Sequence, residues 1–141
     1  MSSTLDFKLV KKGTKCTEAP IIMWFDTTRA REFANALSLA YDAYTQTNLQ
    51  EFVAYCNQVI RQDKDMLCEY QNDMNRYQEI MTYASTKTAY EEAENDFYEA
   101  RSSYRYIETE IKDYEKLLHN FCFMEEIIDL NQNYEFYYYF C

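Results

Sequence analysis

The sequence predicts an α+β protein, predominantly helical, in which a long antiparallel two-helix coiled-coil hairpin (about 49–84 and 89–130) projects from a small head. The head is one helix (about 28–45) with a two- or three-stranded antiparallel sheet (about 4–11, 21–25 and 134–140). Three observations carry this. From Val53 to Ile128 apolar residues recur at alternating three- and four-residue steps, the mark of a coiled-coil seam. The only glycine and proline are Gly13 and Pro20, so everything from Ile21 onward lacks both breakers, as long helices allow. Short alternating or continuous apolar runs at both ends of the sequence have the length and residue types of strands. Residues 1–141 are read as one domain, with 1–48 plus 131–141 as head and 49–130 as hairpin.

"LDFKLVKKG" sets Leu5, Phe7 and Leu9 against Asp6, Lys8 and Val10, a half-buried strand that stops at Gly13. "IIMWF", after Pro20, reads by its unbroken apolarity as a strand buried on both faces. Asp26, Thr27 and Thr28 can each cap a helix, and Ala30, Phe33, Ala34, Leu37, Ala40, Tyr41 and Tyr44 then mark one amphipathic helix over 28–45. Asn48, with Glu51 reaching back, starts the first hairpin arm.

The first seam runs Val53, Cys56, Ile60, Asp63, Leu67, Tyr70, Met74, Tyr77, Met81, Ala84; the second begins at Tyr90 and continues through Phe97, Tyr104, Ile111 and Phe121 to Ile128. The phase of the first does not carry into the second, so the chain turns at "STKT", with Thr88 and Glu91 as a fresh capping box. Folded about that turn, Met81 faces Ala93 and Met74 faces Ala100, large against small, and Leu67 meets Ile107. Residues 134–141 hold six aromatic rings: Tyr134, Phe136, Tyr138 and Phe140 form one strand face, Tyr137 and Tyr139 the other. An edge position for this strand opens it to pairing with another chain.

The formal charge is −10, uneven along the chain: residues 1–25 carry four lysines against two acids, whereas 26–84 sum to −4 and 85–141 to −8. An acidic body repels phosphates, so direct nucleic-acid binding is not expected. No run of 18 apolar residues occurs and "MSSTLDFKLVKK" lacks the apolar stretch of a signal peptide, so the expected place is intracellular (host cytoplasm) or an assembled particle, without a membrane. Five scattered cysteines without C-x-x-C, and the single His119, give no metal site. His119 near Glu115 and Glu126 has no nucleophile or oxyanion partner in the pattern, so no catalytic residue, cofactor or small-molecule substrate is expected.

The expected function is therefore non-enzymatic: protein–protein interaction or structural assembly, with another copy or a different protein as partner. The glycine-poor, tyrosine-rich composition suits a phage or viral accessory or virion component. Tyr55, Tyr83, Tyr98 and Tyr106 fall off the seams, and exposed tyrosines on a rigid helix make contact anchors. Candidate partner-binding residues are Tyr83, Tyr98, Tyr106, Tyr137 and Tyr139, with the acids Glu91, Glu92, Glu94, Asp96 and Glu99. Those acids support an alternative, a small inhibitor that mimics nucleic acid and blocks the basic groove of a defence or replication enzyme. Asp63 breaks the first seam and is read as a register-setting polar group.

Overall fold

A computed structural model describes residues 3–141. Its elements are strand β1 (Leu5–Lys11), a single 3-10 turn (Cys16–Glu18), strand β2 (Ile21–Phe25), helix α1 (Thr27–Leu37), strand β3 (Tyr44–Thr47), helices α2 (Gln50–Tyr83) and α3 (Lys87–Leu130), and strand β4 (Tyr134–Phe140). This is an α+β fold with a helical hairpin. The chain divides into two compact units: Met1–Cys56 with Leu118–Cys141, and Asn57–Leu117. The boundary falls inside the two long helices.

In the first unit the strands form one antiparallel sheet of order β2-β1-β4-β3. The sheet has four strands, not the two or three expected, and the difference lies in residues 38–47. The expected helix over 28–45 ends at Leu37, where Ser38 turns left-handed (φ 52, ψ 50) and its N–H returns to the Ala34 carbonyl. Residues 44–47, "YTQT", then pair with β4. Asp26 caps α1 by accepting from the Arg29 N–H. β4 is interior to the sheet, so β2 and β3 are its edges. That overturns the reading of β2 as buried on both faces: Phe25 alone is buried there, while Ile21, Ile22 and Trp24 are exposed. The register with β1 slips between Phe7 and Lys8, which leaves Ile22 without an opposite residue.

Alternation decides what the inner face carries. Leu5, Phe7, Phe25, Phe136 and Tyr138 point inward and are buried. Phe7 sits at the centre, its ring 5.5 Å from Phe25, 5.0 Å from Phe52 and 5.4 Å from Phe121. Phe33 of α1 closes the cluster against Phe25 and Phe52 at 5.2 and 5.8 Å. Tyr55, expected to be exposed, is half-buried because its ring meets Phe33 edge-on at 5.0 Å. Leu49 is fully buried despite a positive φ of 66°, held by its N–H bond to the Thr47 hydroxyl, and Asn48 accepts from the Gln50 N–H to start α2.

In the second unit the two long helices pack together, antiparallel, along the seams. Ile60, Met74, Ala93, Ala100, Ile107, Ile111 and Tyr114 are buried. Tyr90, at the turn, is largely exposed, since too little helix remains there to cover it. Thr86, not Thr88, caps α3: its hydroxyl accepts from the Ala89 N–H at 3.1 Å. Asp63 is only 6% exposed in the seam. Lys64 reaches Glu115 across the hairpin at 3.9 Å.

Candidate functional site

The outer face of the sheet is built by the same alternation that fills the core. Because Leu5 and Phe7 face inward, Asp6 and Lys8 face out. The register sets Asp6 opposite Trp24 on one side and Tyr139 on the other, and Tyr139 opposite Tyr44. One transverse row therefore crosses all four strands: Trp24, Asp6, Tyr139, Tyr44. Strands stand about 4.8 Å apart, so the row is roughly 14 Å long. The Tyr44 and Tyr139 rings lie 4.8 Å apart, and Trp24, the single tryptophan of the chain, is 65% exposed.

Beside this row the face is already occupied from within the chain. Lys8 is a buried residue, 7% exposed, whose ammonium donates to the Cys16 carbonyl at 3.0 Å and to the Tyr44 hydroxyl at 3.3 Å, and lies 4.9 Å from the centre of the Tyr44 ring. The 3-10 turn thus covers the Lys8 end of the face, where Val10 is also buried. In the row itself Trp24 and Tyr44 are exposed, and Asp6 and Tyr139 are half-buried. Tyr137 donates to Glu135 at 3.2 Å, and Tyr139 donates to Asp42. That bond, with desolvation, pushes the Tyr139 hydroxyl up to about 12. Burial pushes the Asp6 carboxyl up from its ordinary range, with Lys8 opposing.

Of the residues singled out from the sequence, Tyr137 and Tyr139 belong to this face and are half-buried. Tyr83, Tyr98 and Tyr106 are exposed, as expected, but on the hairpin unit. The acids of 91–99 lie there too. Glu91, Glu92, Asp96 and Glu99 are exposed and Glu94 half-buried, and at about 100° per residue they spread over more than half the helix circumference rather than one flat patch. Asp96 and Glu99 join Asp73, Tyr70 and Tyr77 around a shallow cleft of about 200 Å³. Arg76 already serves this region, pairing with Asp73 at 3.4 Å while its guanidinium lies 5.0 Å from the Tyr77 ring. His119 is exposed, and among the described residues no group of three or more potential ligands is placed to hold a metal. Among the described residues no helix is long and apolar enough to cross a membrane.

Trp24, Asp6 and Tyr44 are the site residues that sequence reasoning missed. Trp24 was hidden by an apolar run that reads as interior, and Tyr44 by a helical spacing that continues past the true end of α1. The available signal for Tyr44 was the period-two pattern of "YTQT", with β-branched threonines at alternate positions. Compared with family models, curated proteins and solved structures, the chain matches none.

Proposed function

We propose that this is a non-enzymatic interaction protein whose docking surface is the outer face of its sheet. The supporting observation is the row Trp24–Asp6–Tyr139–Tyr44, in which Trp24 and Tyr44 are exposed and Asp6 and Tyr139 half-buried, on the sheet face opposite the one that carries the core. Trp and Tyr are the residues that concentrate binding energy at protein contacts, because a large ring is ordered at little entropic cost. Composition is the only support for a phage or viral accessory role, and assembly of a particle is one setting in which such a surface serves.

The test is selection of a displayed random-peptide library on the intact protein, counter-selected on Trp24→Ala and Tyr44→Ala. Trp24 is exposed, and a melting curve checks that Tyr44→Ala, which also takes a partner from Lys8, keeps the fold. Peptides that bind the parent and lose both variants support the reading; a library that never enriches, or whose members bind the variants equally, removes it.

A second reading is the acidic inhibitor acting through the 91–99 region; the cleft that Asp96 and Glu99 share with Asp73 supports it. Lysine replacements at Glu91, Glu92, Glu94, Asp96 and Glu99 separate the two: inhibition of a basic-grooved enzyme would vanish, while docking on the sheet would persist.

A further inference from the structure

We propose that Trp24, Asp6 and Tyr139 form a slot for an arginine side chain, supplied by an extended basic segment of a protein partner; the proposal rests on the sheet's outer face being the docking surface.

The register places Asp6 between Trp24 and Tyr139, one on each neighbouring strand, on one face of the sheet. Among the described residues the Asp6 carboxylate accepts no hydrogen bond, and Lys8 acts on it through its charge while donating elsewhere. The Tyr139 hydroxyl is committed to Asp42, so what Tyr139 offers the slot is its ring. A carboxylate with an aromatic residue paired on either side matches a guanidinium: its planar fork pairs with the acid while its faces stack on rings. Lysine, a hydrated point charge, uses the acid but not both rings.

The chain shows the ring contact twice with its own cations, and the ring with an acid once. Lys8 lies over the Tyr44 ring, and Arg76 lies over Tyr77 while pairing with Asp73. Charge selects the kind of partner. The face carries Asp6, Asp42 and Glu135 against Lys8, on a chain of net −10, so a second copy brings acid to acid whereas a basic segment brings complement. The row is crossed by four or five residues of extended chain at about 3.3 Å per residue, which is why the ligand is a strand-like segment rather than a helix.

Trp24 emission reports directly on the slot, since no other tryptophan contributes. Blocked eight-residue peptides with arginine at two alternate positions, and counterparts with lysine, glutamine or glutamate there, are titrated against the full chain. The arginine peptide is expected to shift the emission and to bind several-fold tighter than the lysine peptide, with glutamine and glutamate peptides at least tenfold weaker. Asp6→Asn, which keeps the shape and removes the charge, is expected to cost the arginine peptide tenfold or more. Equal binding of arginine and glutamine peptides, or an indifferent Asp6→Asn, overturns the proposal. So does a dimer in native mass measurements that Trp24→Ala dissociates, because the face then belongs to a second copy. Library peptides that need Trp24 yet lack arginine sink this inference and leave the docking surface standing; a library that never enriches sinks both.

Discussion

Tyr139 donates its hydroxyl to the Asp42 carboxylate, joining residues 97 apart in sequence, and the Asp42 N–H returns the tie to the Phe140 carbonyl at 2.7 Å. The connection between α1 and β3 is thereby fastened to the interior strand β4. Folding favours the protonated hydroxyl, since Tyr139 ionises near 10 when unfolded and is pushed up to about 12 here, chiefly by the bond to Asp42. Its stabilisation is whole below pH 10 and fades as pH rises through 12. Thermal melts between pH 9 and 12 are expected to fall more gently for Tyr139→Phe than for the parent.

Asp6 gives the opposite economy for a carboxylate. Burial raises its pKa from the ordinary value of 3.8, so its contribution to stability is present below that pH and is lost as pH rises through the raised value. At pH 7 the ionised group is a burden on the fold. Asp6→Asn is therefore expected to leave the melting temperature at pH 7 unchanged or slightly raised, while removing peptide binding. A marked fall in melting temperature would mean that Asp6 serves the sheet and not a partner.

The five thiols are all unpaired but not equivalent. Cys68 and Cys122 are exposed, whereas Cys56 is fully buried and its thiol is pushed up to about 12, first by burial. Alkylation at pH 8 followed by peptide mass analysis is expected to label Cys68 and Cys122 first, and Cys56 only on unfolding.

Phe7 touches three other phenyl rings and is fully buried. Phe7→Ala is expected to cost about 3–5 kcal/mol in denaturant unfolding, through lost ring contact and the cavity left behind. Trp24→Ala on the opposite face should cost far less. That contrast, measured in one experiment, checks the assignment of the two faces.

Ser38 holds a left-handed conformation that disfavours side chains. Ser38→Gly is expected to stabilise the protein by about 1 kcal/mol, read as a rise in denaturant midpoint at unchanged slope.

The same residue explains where the sequence was hard to read. Helices usually announce their end with glycine, and α1 ends on a serine instead, so Ala40, Tyr41 and Tyr44 extended a helical spacing that the backbone had already left. The long helices were legible because the seam repeats over many turns and its phase breaks cleanly at the turn. The aromatic strand was legible through its alternation. Its neighbours were not: whether β4 is edge or centre depends on a fourth strand, and whether Trp24 is buried depends on β2 being last in line. Both are pairing facts that no local pattern carries. The row on the outer face exists only once that pairing is known, which is why Tyr137 and Tyr139 were found but Trp24 and Asp6 were not.

The strand order has a consequence in time. β3 is synthesised before either long helix, yet its sole neighbour in the sheet is β4, which follows both. Until β4 emerges from the ribosome, Tyr44–Thr47 has no ladder to join and β1 has only β2 beside it. The helical hairpin, made of local turns, is free to form during that wait. The four-stranded sheet, and the row that crosses it, therefore cannot be complete before β4 has been made.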